Sequence, residues 1–118
     1  MSNDSQKVLV VDDEPLIRLS AIDVVRDAGF GAVAASGAEQ ALQLLEQQPD
    51  ISLLFTDIRM AGESDGLDLA RTVRERWPNV RVIVTSGHTN SVGAENDITF
   101  LSKPYSPEEL TLALRRLA

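Results

Sequence analysis

Short, uninterrupted apolar runs are the feature that most constrains what this 118-residue chain can fold into. The run from Val8 to Val11 lacks the in-out alternation of a strand with one wet face. It is typical of a strand that is buried on both faces of a parallel sheet. Comparable runs, the first of them weaker, occur in "FGAVAAS", "SLLFTD", "VRVIVTSG" and "ITFLSKP". We therefore predict five strands.

Segments whose apolar residues recur at helical spacing separate these runs. Gly29 is placed to end the first helix in a left-handed conformation. Ser36 and Glu39 have the spacing of a capping box, which predicts the start of the second helix. Ser106 and Glu109 predict the start of the last helix in the same way. The alternation of strands and helices indicates an α/β fold, an open, doubly wound parallel sheet with helices on both faces.

The length of the chain predicts one domain. We expect residues 7–118 to form that domain and the polar residues 1–6 to be flexible. The segment "HTNSVGAEND" has few apolar residues and poor periodicity. The helix expected there, the fourth along the chain, is therefore predicted to be short or irregular.

Composition excludes several classes of protein. No apolar run approaches the roughly 18 residues that span a bilayer, and no signal peptide is recognisable, so we expect a cytoplasmic protein that does not enter a membrane. The chain has no cysteine and one histidine, His88, which excludes disulfides, thiolate zinc sites and histidine clusters. A net charge of -7 argues against direct binding of nucleic acid.

Polar residues stand at the carboxyl ends of four of the five predicted strands. In open α/β sheets, ligands bind in the crevice outside these strand ends. We therefore expect one site to contain the following side chains: Asp12, Asp13, Asp57, Thr85, Ser86 and Lys103.

These residue types suit one kind of chemistry. Carboxylates without softer ligands favour Mg²⁺, which would relieve the repulsion between the adjacent Asp12 and Asp13. A carboxylate beside such a cation can attack phosphorus and form an acyl phosphate. A lysine and a Ser or Thr hydroxyl can pair with the phosphoryl oxygens. The set predicts phosphoryl transfer onto an aspartate, catalysed by positioning and charge stabilisation.

Five short motifs carry a resemblance to a known family: "VLVVDDE", "LLFTDIRM", "DGLDLA", "VIVTSG" and "FLSKPY". With them the chain resembles, from about Lys7 to Leu117, the receiver domains of two-component response regulators. The resemblance implies a flavodoxin-like sheet with strand order 2-1-3-4-5. It also implies that Asp57 accepts a phosphoryl group from the phosphohistidine of a sensor histidine kinase or a histidine phosphotransfer protein.

The resemblance further implies the roles of other residues. Lys103 would pair with the phosphoryl group, and Pro104 would follow it through a cis peptide bond, which is uncommon. Magnesium would be held by three carboxylates and one backbone carbonyl, those of Asp12, Asp13, Asp57 and Arg59. On this basis the chain is a phosphoacceptor that assists its own phosphorylation and dephosphorylation, and not an enzyme with a separate substrate.

The residue whose hydroxyl switches the domain is either Thr85 or Ser86. Members of the family usually have a small residue directly after it, which favours Ser86 followed by Gly87. Thr85 stays the alternative. Phe100, three residues before Lys103, occupies the position of an aromatic residue that moves between exposed and buried positions in the family.

Three alternatives compete with this interpretation. A haloacid-dehalogenase-like phosphatase needs a second aspartate two residues after the nucleophile, where this chain has Arg59. A flavodoxin-like cofactor binder needs a Ser/Thr/Gly-rich loop after the first strand, where "DDEPL" would repel phosphate. A degenerate receiver, never phosphorylated, would act as a protein-interaction module. Every charged position of the site is filled, which argues against the degenerate receiver. Because the sequence stops after the fifth predicted helix, we expect a stand-alone, single-domain response regulator that signals to a downstream protein partner or shuttles phosphate.

Overall fold

The computed structural model describes residues 6–58, 66–86 and 98–118. Within them the elements follow in the order β1 (Lys7–Val11), α1 (Pro15–Asp27), β2 (Gly31–Ala35), α2 (Ala38–Gln47), β3 (Ile51–Asp57), α3 (Gly66–Arg76), β4 (Arg81–Ser86), β5 (Ile98–Ser102) and α4 (Pro107–Leu117). Of the predicted flexible N-terminus, residues 1–6, only Gln6 is described, and its carbonyl accepts from the Gly31 N–H at 3.0 Å. Residues 1–5 and the irregular helix predicted in "HTNSVGAEND" lie outside the described residues. None of the helices in the described ranges has the length and apolar character that crossing a membrane requires.

The five strands form one parallel sheet in the order β2-β1-β3-β4-β5, which confirms the predicted fold. Helices cover both faces, and for this reason the strands have continuous apolar runs instead of alternating ones. Successive residues of β1 point to opposite sides of the sheet. Leu9 and Val11 belong to a core with α2 and α3, whereas Val8 and Val10 belong to a core with α1 and α4.

The start of α4 confirms the predicted capping box. The Ser106 hydroxyl accepts a hydrogen bond from the Glu109 backbone N–H at 3.1 Å. The Glu109 carboxylate in turn accepts from the Ser106 N–H at 3.0 Å. Two backbone donors that the helix leaves unpaired are satisfied in this way. The cap fixes where the chain leaves β5 and turns into α4.

The predicted capping box at the start of α2 is wrong. The N-cap residue is Gly37, and no side chain caps the helix. The helix begins one residue later than a Ser36 cap requires, which moves Gln40 instead of Glu39 to its third position. The Ser36 N–H and hydroxyl both donate to Gln40 Oε1, at 2.9 and 3.2 Å.

The end of α1 has the glycine that the sequence predicts. Gly29 has a φ of 98°, in the left-handed region that favours glycine. Its N–H donates to the Arg26 carbonyl at 3.0 Å, and the Phe30 N–H donates to the Val25 carbonyl at 3.2 Å. This pair of bonds is a Schellman motif, and it leads the chain into β2.

Candidate functional site

The sheet register brings the carboxyl ends of four strands to one edge. Val11 pairs with Thr56, so Asp12 and Asp57, one residue further along their strands, come next to each other. Asp57 is itself paired with Thr85. Ser86 is paired with Ser102, directly before Lys103. These strand ends form one site because β1, β3, β4 and β5 are consecutive in the sheet.

Asp12 is a buried carboxylate, with only 5% of its surface exposed, held by three hydrogen bonds. Its backbone N–H donates to the Ala35 carbonyl at 3.2 Å. Its Oδ1 accepts from the Glu14 N–H at 2.9 Å, and its carbonyl accepts from Arg18 Nη1 at 2.8 Å. These bonds fix the chain where it leaves β1 and turns into α1.

Burial and neighbouring charges both act on the Asp12 carboxyl. Burial raises the pKa of the Asp12 carboxyl above its ordinary value, and the charges of Asp57 and Asp13 raise it further. The Glu14 N–H and the Lys103 ammonium act in the opposite direction without cancelling the rise. Burial, more than any single neighbouring charge, therefore makes the Asp12 carboxyl costly to ionise in the folded state.

Lys103 makes the central contact of the site. Its Nζ lies 2.7 Å from Asp57 Oδ2. The Asp57 side chain is 11% exposed and that of Lys103 is 30% exposed, so the ammonium reaches a carboxylate that water scarcely reaches. The Lys103–Pro104 peptide bond is cis, the isomer that the resemblance to receiver domains implies.

The hydroxyl groups of β4 are in part described. Thr85 is 2% exposed, and its Oγ1 has no hydrogen-bond partner among the described residues. Its carbonyl accepts from the Ile58 N–H at 2.9 Å, which ties β4 to the end of β3. The side chain of Ser86, as well as Gly87 and Arg59, lies outside the described part of the chain, so their predicted roles stay predictions.

Two aromatic residues lie near this edge. Phe100 is half-buried and packs against the core shared with α2 and α3. The Tyr105 ring meets Phe55 edge to face, with ring centroids 5.7 Å apart. Burial raises the pKa of Tyr105, with the charges of Asp12 and Asp57 adding to the rise. Tyr105, with Ile17 and Pro104, also lines a cavity of about 470 Å³ beside Lys103.

Two residues that shape the site do not stand out as site residues in the sequence. Gly66 lies against the end of β3, and a Cβ on it would overlap the Asp57 carbonyl oxygen. The motif "DGLDLA" contains this glycine, but nothing in a sequence states which backbone it approaches. Arg18 is the second, because its contact with the Asp12 carbonyl depends on how α1 lies against the end of β1.

The donor set suits a hard cation that also keeps water ligands. No group of three or more Asp, Glu or His side chains within residues 6–58, 66–86 and 98–118 is arranged to hold a metal ion by itself. Magnesium does not need such a group, because it usually takes one or two carboxylates together with waters and phosphate oxygens. The arrangement can therefore bring a cation, a buried carboxylate and an ammonium together around one phosphoryl group.

The model of the response regulator receiver domain family matches residues 8–115. The chain belongs to this family. The match sets aside the phosphatase and the cofactor binder that the sequence left open. Receiver domains are phosphoacceptors of bacterial two-component systems; they generally bind Mg²⁺ and interact with histidine kinases or phosphotransfer proteins.

Individual relatives agree with the family match. The NtrX-like response regulator of Rickettsia bellii is 35% identical over 115 residues, which are 92% of this chain and 24% of that protein. The chain thus spans about a quarter of the length of such curated relatives.

Solved structures are similar over nearly the whole chain. A response regulator receiver protein from Sinorhizobium medicae is 33% identical with a TM-score of 0.84, covering 95% of this chain and 93% of that one. The response regulator TrrA from Thermotoga maritima, solved in complex with Mg²⁺ and BeF, is 25% identical with a TM-score of 0.85, covering 96% and 99%.

Proposed function

We propose that this receiver accepts a phosphoryl group on Asp57, in a Mg²⁺-dependent reaction, from the phosphohistidine of a sensor histidine kinase or a histidine phosphotransfer protein. The observation that carries the proposal is the contact of 2.7 Å between Lys103 Nζ and Asp57 Oδ2. Asp57 is a buried strand-end carboxylate paired with the Lys103 ammonium, and its charge contributes to the raised pKa of the neighbouring Asp12. Burying a charged carboxylate costs free energy, so the stability of the fold alone does not explain an aspartate at this position.

The chemical step exchanges one bond to phosphorus for another. A carboxylate oxygen of Asp57 forms the new O–P bond while the N–P bond of phosphohistidine breaks. The bonding electron pair leaves with the imidazole nitrogen, which takes a proton from water. Lys103 stays beside the acceptor and pairs with the charge of the transferred group, which is electrostatic stabilisation by a group already in position.

The residues of the acidic edge suit a magnesium ion. Asp12, Asp13 and Asp57 would hold it, and the Arg59 carbonyl is the fourth expected ligand. The raised pKa of Asp12, caused first by burial and then by the charges of Asp57 and Asp13, is consistent with this, because a bound cation would favour the ionised carboxylate. When bound, the ion supplies positive charge to the phosphoryl oxygens and to these carboxylates. The complex of TrrA with Mg²⁺ and BeF is consistent with such a site.

The phosphorylated receiver would signal by contact with a downstream protein partner or by passing phosphate on. The stand-alone, single-domain arrangement expected from the sequence stays a prediction, since the chain matches about a quarter of the length of its curated relatives. The switch hydroxyl of Ser86, or of Thr85, and the aromatic ring of Phe100 would couple phosphorylation to this output.

Intact-mass analysis after incubation with acetyl phosphate and MgCl₂ tests the proposal. We expect the mass to rise by one phosphoryl group, and we expect no rise when EDTA replaces MgCl₂ or in the variant Asp57→Asn. Asp50→Asn is the matched control, because Asp50 is also paired with a lysine but is largely exposed. Failure of the unmodified chain to gain mass would instead support the degenerate, non-phosphorylated receiver.

A further inference from the structure

Arg18 links the first helix back to the end of the first strand. Its backbone N–H donates to the Glu14 carbonyl at 2.9 Å, as in a regular helical turn. Its guanidinium reaches past that turn, and Nη1 donates to the Asp12 carbonyl at 2.8 Å. The side chain is half-buried, so the contact is partly shielded from water.

The position of the Asp12 carbonyl explains what this contact does. The last paired residue of β1 is Val11, so Asp12 is where the ladder of backbone hydrogen bonds stops. The chain must turn there while the Asp12 carboxylate stays close enough to those of Asp57 and Asp13 for their charges to interact. The Arg18 hydrogen bond fixes the peptide group that joins these two residues.

We propose that Arg18 is a positioning residue for the magnesium site, holding the Asp12–Asp13 peptide so that both carboxylates can engage one cation. The inference rests on the proposed function, because it requires that Asp12 and Asp13 bind Mg²⁺. The Arg18 guanidinium donates to the main-chain carbonyl of Asp12, so its effect on the site would pass through the main chain. Residues that orient metal ligands in this indirect way commonly change metal affinity 10- to 100-fold when they are replaced.

Simple electrostatics predicts that removal of Arg18 strengthens Mg²⁺ binding, whereas the positioning role predicts that it weakens binding. Removing a positive charge from the neighbourhood of two carboxylates makes the site more negative, which would strengthen its attraction for Mg²⁺. A loss of affinity on removing Arg18 is therefore a signature of positioning and not of charge. A purely structural role would lower the free energy of unfolding and leave the Kd for Mg²⁺ unchanged.

Calorimetric titration of the full chain with MgCl₂ measures this Kd. We expect Arg18→Met to raise it about tenfold. Arg18→Gln, which keeps a polar group but is too short to reach the carbonyl, should behave in the same way and serves as the test if the methionine variant does not fold. Arg18→Lys, which keeps a donor of similar reach, should restore most of the affinity. Arg26→Met, on the exposed last turn of α1, is the matched control and should bind as the unmodified chain does.

The outcomes separate this inference from the proposed function. An unchanged or a lower Kd in both Arg18→Met and Arg18→Gln overturns the positioning role, while the unmodified chain still binds Mg²⁺ and still gains one phosphoryl group. Absence of both Mg²⁺ binding and mass gain in the unmodified chain overturns the proposed function, and this inference with it.

Discussion

The two lysines of this chain each pair with an aspartate, at opposite edges of the same sheet. Lys7 begins β1, and its Nζ lies 3.0 Å from Asp50 Oδ2. Lys103 follows β5, and its Nζ lies 2.7 Å from Asp57 Oδ2. The lysine side chains are similarly exposed, at 34% and 30%, but Asp50 is 48% exposed and Asp57 is 11% exposed.

The difference between the pairs lies in the carboxylate and not in the lysine. Asp50 is hydrated, so its pair resembles other surface salt bridges, which contribute about 0–1 kcal/mol. Asp57 is mostly shielded from water and lies near Asp12, and the Lys103 ammonium at 2.7 Å provides a counter-charge inside the fold. The same two residue types thus make a surface contact at the amino ends of the strands, here called the amino edge of the sheet. At the carboxyl ends of the strands, the carboxyl edge, they make a candidate reaction centre.

The largest expected effect is on phosphorylation rate. Lys103→Met removes the cation that stabilises charge developing on the phosphoryl group, so we expect the initial rate with acetyl phosphate and MgCl₂ to fall about 100-fold. Quantitative intact-mass time courses measure this rate. Lys7→Met removes the equivalent charge from the amino edge and should leave the rate unchanged. Equal losses in the two variants would mean that net charge matters and position does not, which would remove the contrast between the edges.

A second pair of variants tests how two buried hydroxyl groups at the carboxyl edge affect the free energy of unfolding. Thr85→Val replaces a buried hydroxyl without a described partner by a methyl group, and should raise the free energy of unfolding by about 1 kcal/mol. Thr56→Val removes a hydroxyl that donates to the Asp57 carbonyl at 3.1 Å, and should lower it by about 1 kcal/mol. Urea denaturation measures both changes.

The threonine at position 85 also bears on the switch. If the switch hydroxyl is that of Ser86, Thr85→Val should be phosphorylated normally and should still change conformation on phosphorylation. A phosphorylated Thr85→Val that keeps its unphosphorylated amide NMR spectrum would assign the switch to Thr85 instead.

The smallest expected effect depends on pH. Burial raises the pKa of Asp12 in the folded state, so its contribution to stability is complete below the unfolded value of about 3.9 and is lost as the pH rises through the folded value. In buffer without Mg²⁺, Asp12→Asn should therefore be more stable than the unmodified chain at pH 7, with the difference shrinking towards pH 4. The asparagine can still accept the Glu14 hydrogen bond.

Urea denaturation at several pH values measures this difference. Asp50→Asn, at the amino edge, is the control and should show no gain at pH 7, because its carboxylate is hydrated and paired with Lys7. If Asp12→Asn were less stable than the unmodified chain at every pH, burying the charged Asp12 carboxylate would cost less free energy than its low exposure indicates.

Much of the fold could be predicted because its signals are local. The continuous apolar run from Val8 to Val11 predicts a strand with two covered faces, and Gly29 and the pair Ser106–Glu109 mark helix ends at fixed spacings. The pair Ser36–Glu39 had the same spacing but failed, because a shift of one residue at a helix start changes which side chain can reach back. Local patterns therefore predict the elements well and their exact caps less well.

The sequence by itself determined that acids, hydroxyls and a lysine would stand at strand ends, since parallel strands bring their carboxyl ends to one edge. Only the tertiary structure decided that Lys103 touches Asp57, that Arg18 holds the Asp12 carbonyl and that Asp57 is buried where Asp50 is not. Residues 46 positions apart meet because of strand order and helix packing. Burial, which sets the strength of a charge interaction, belongs to the packed molecule and not to any short stretch of its sequence.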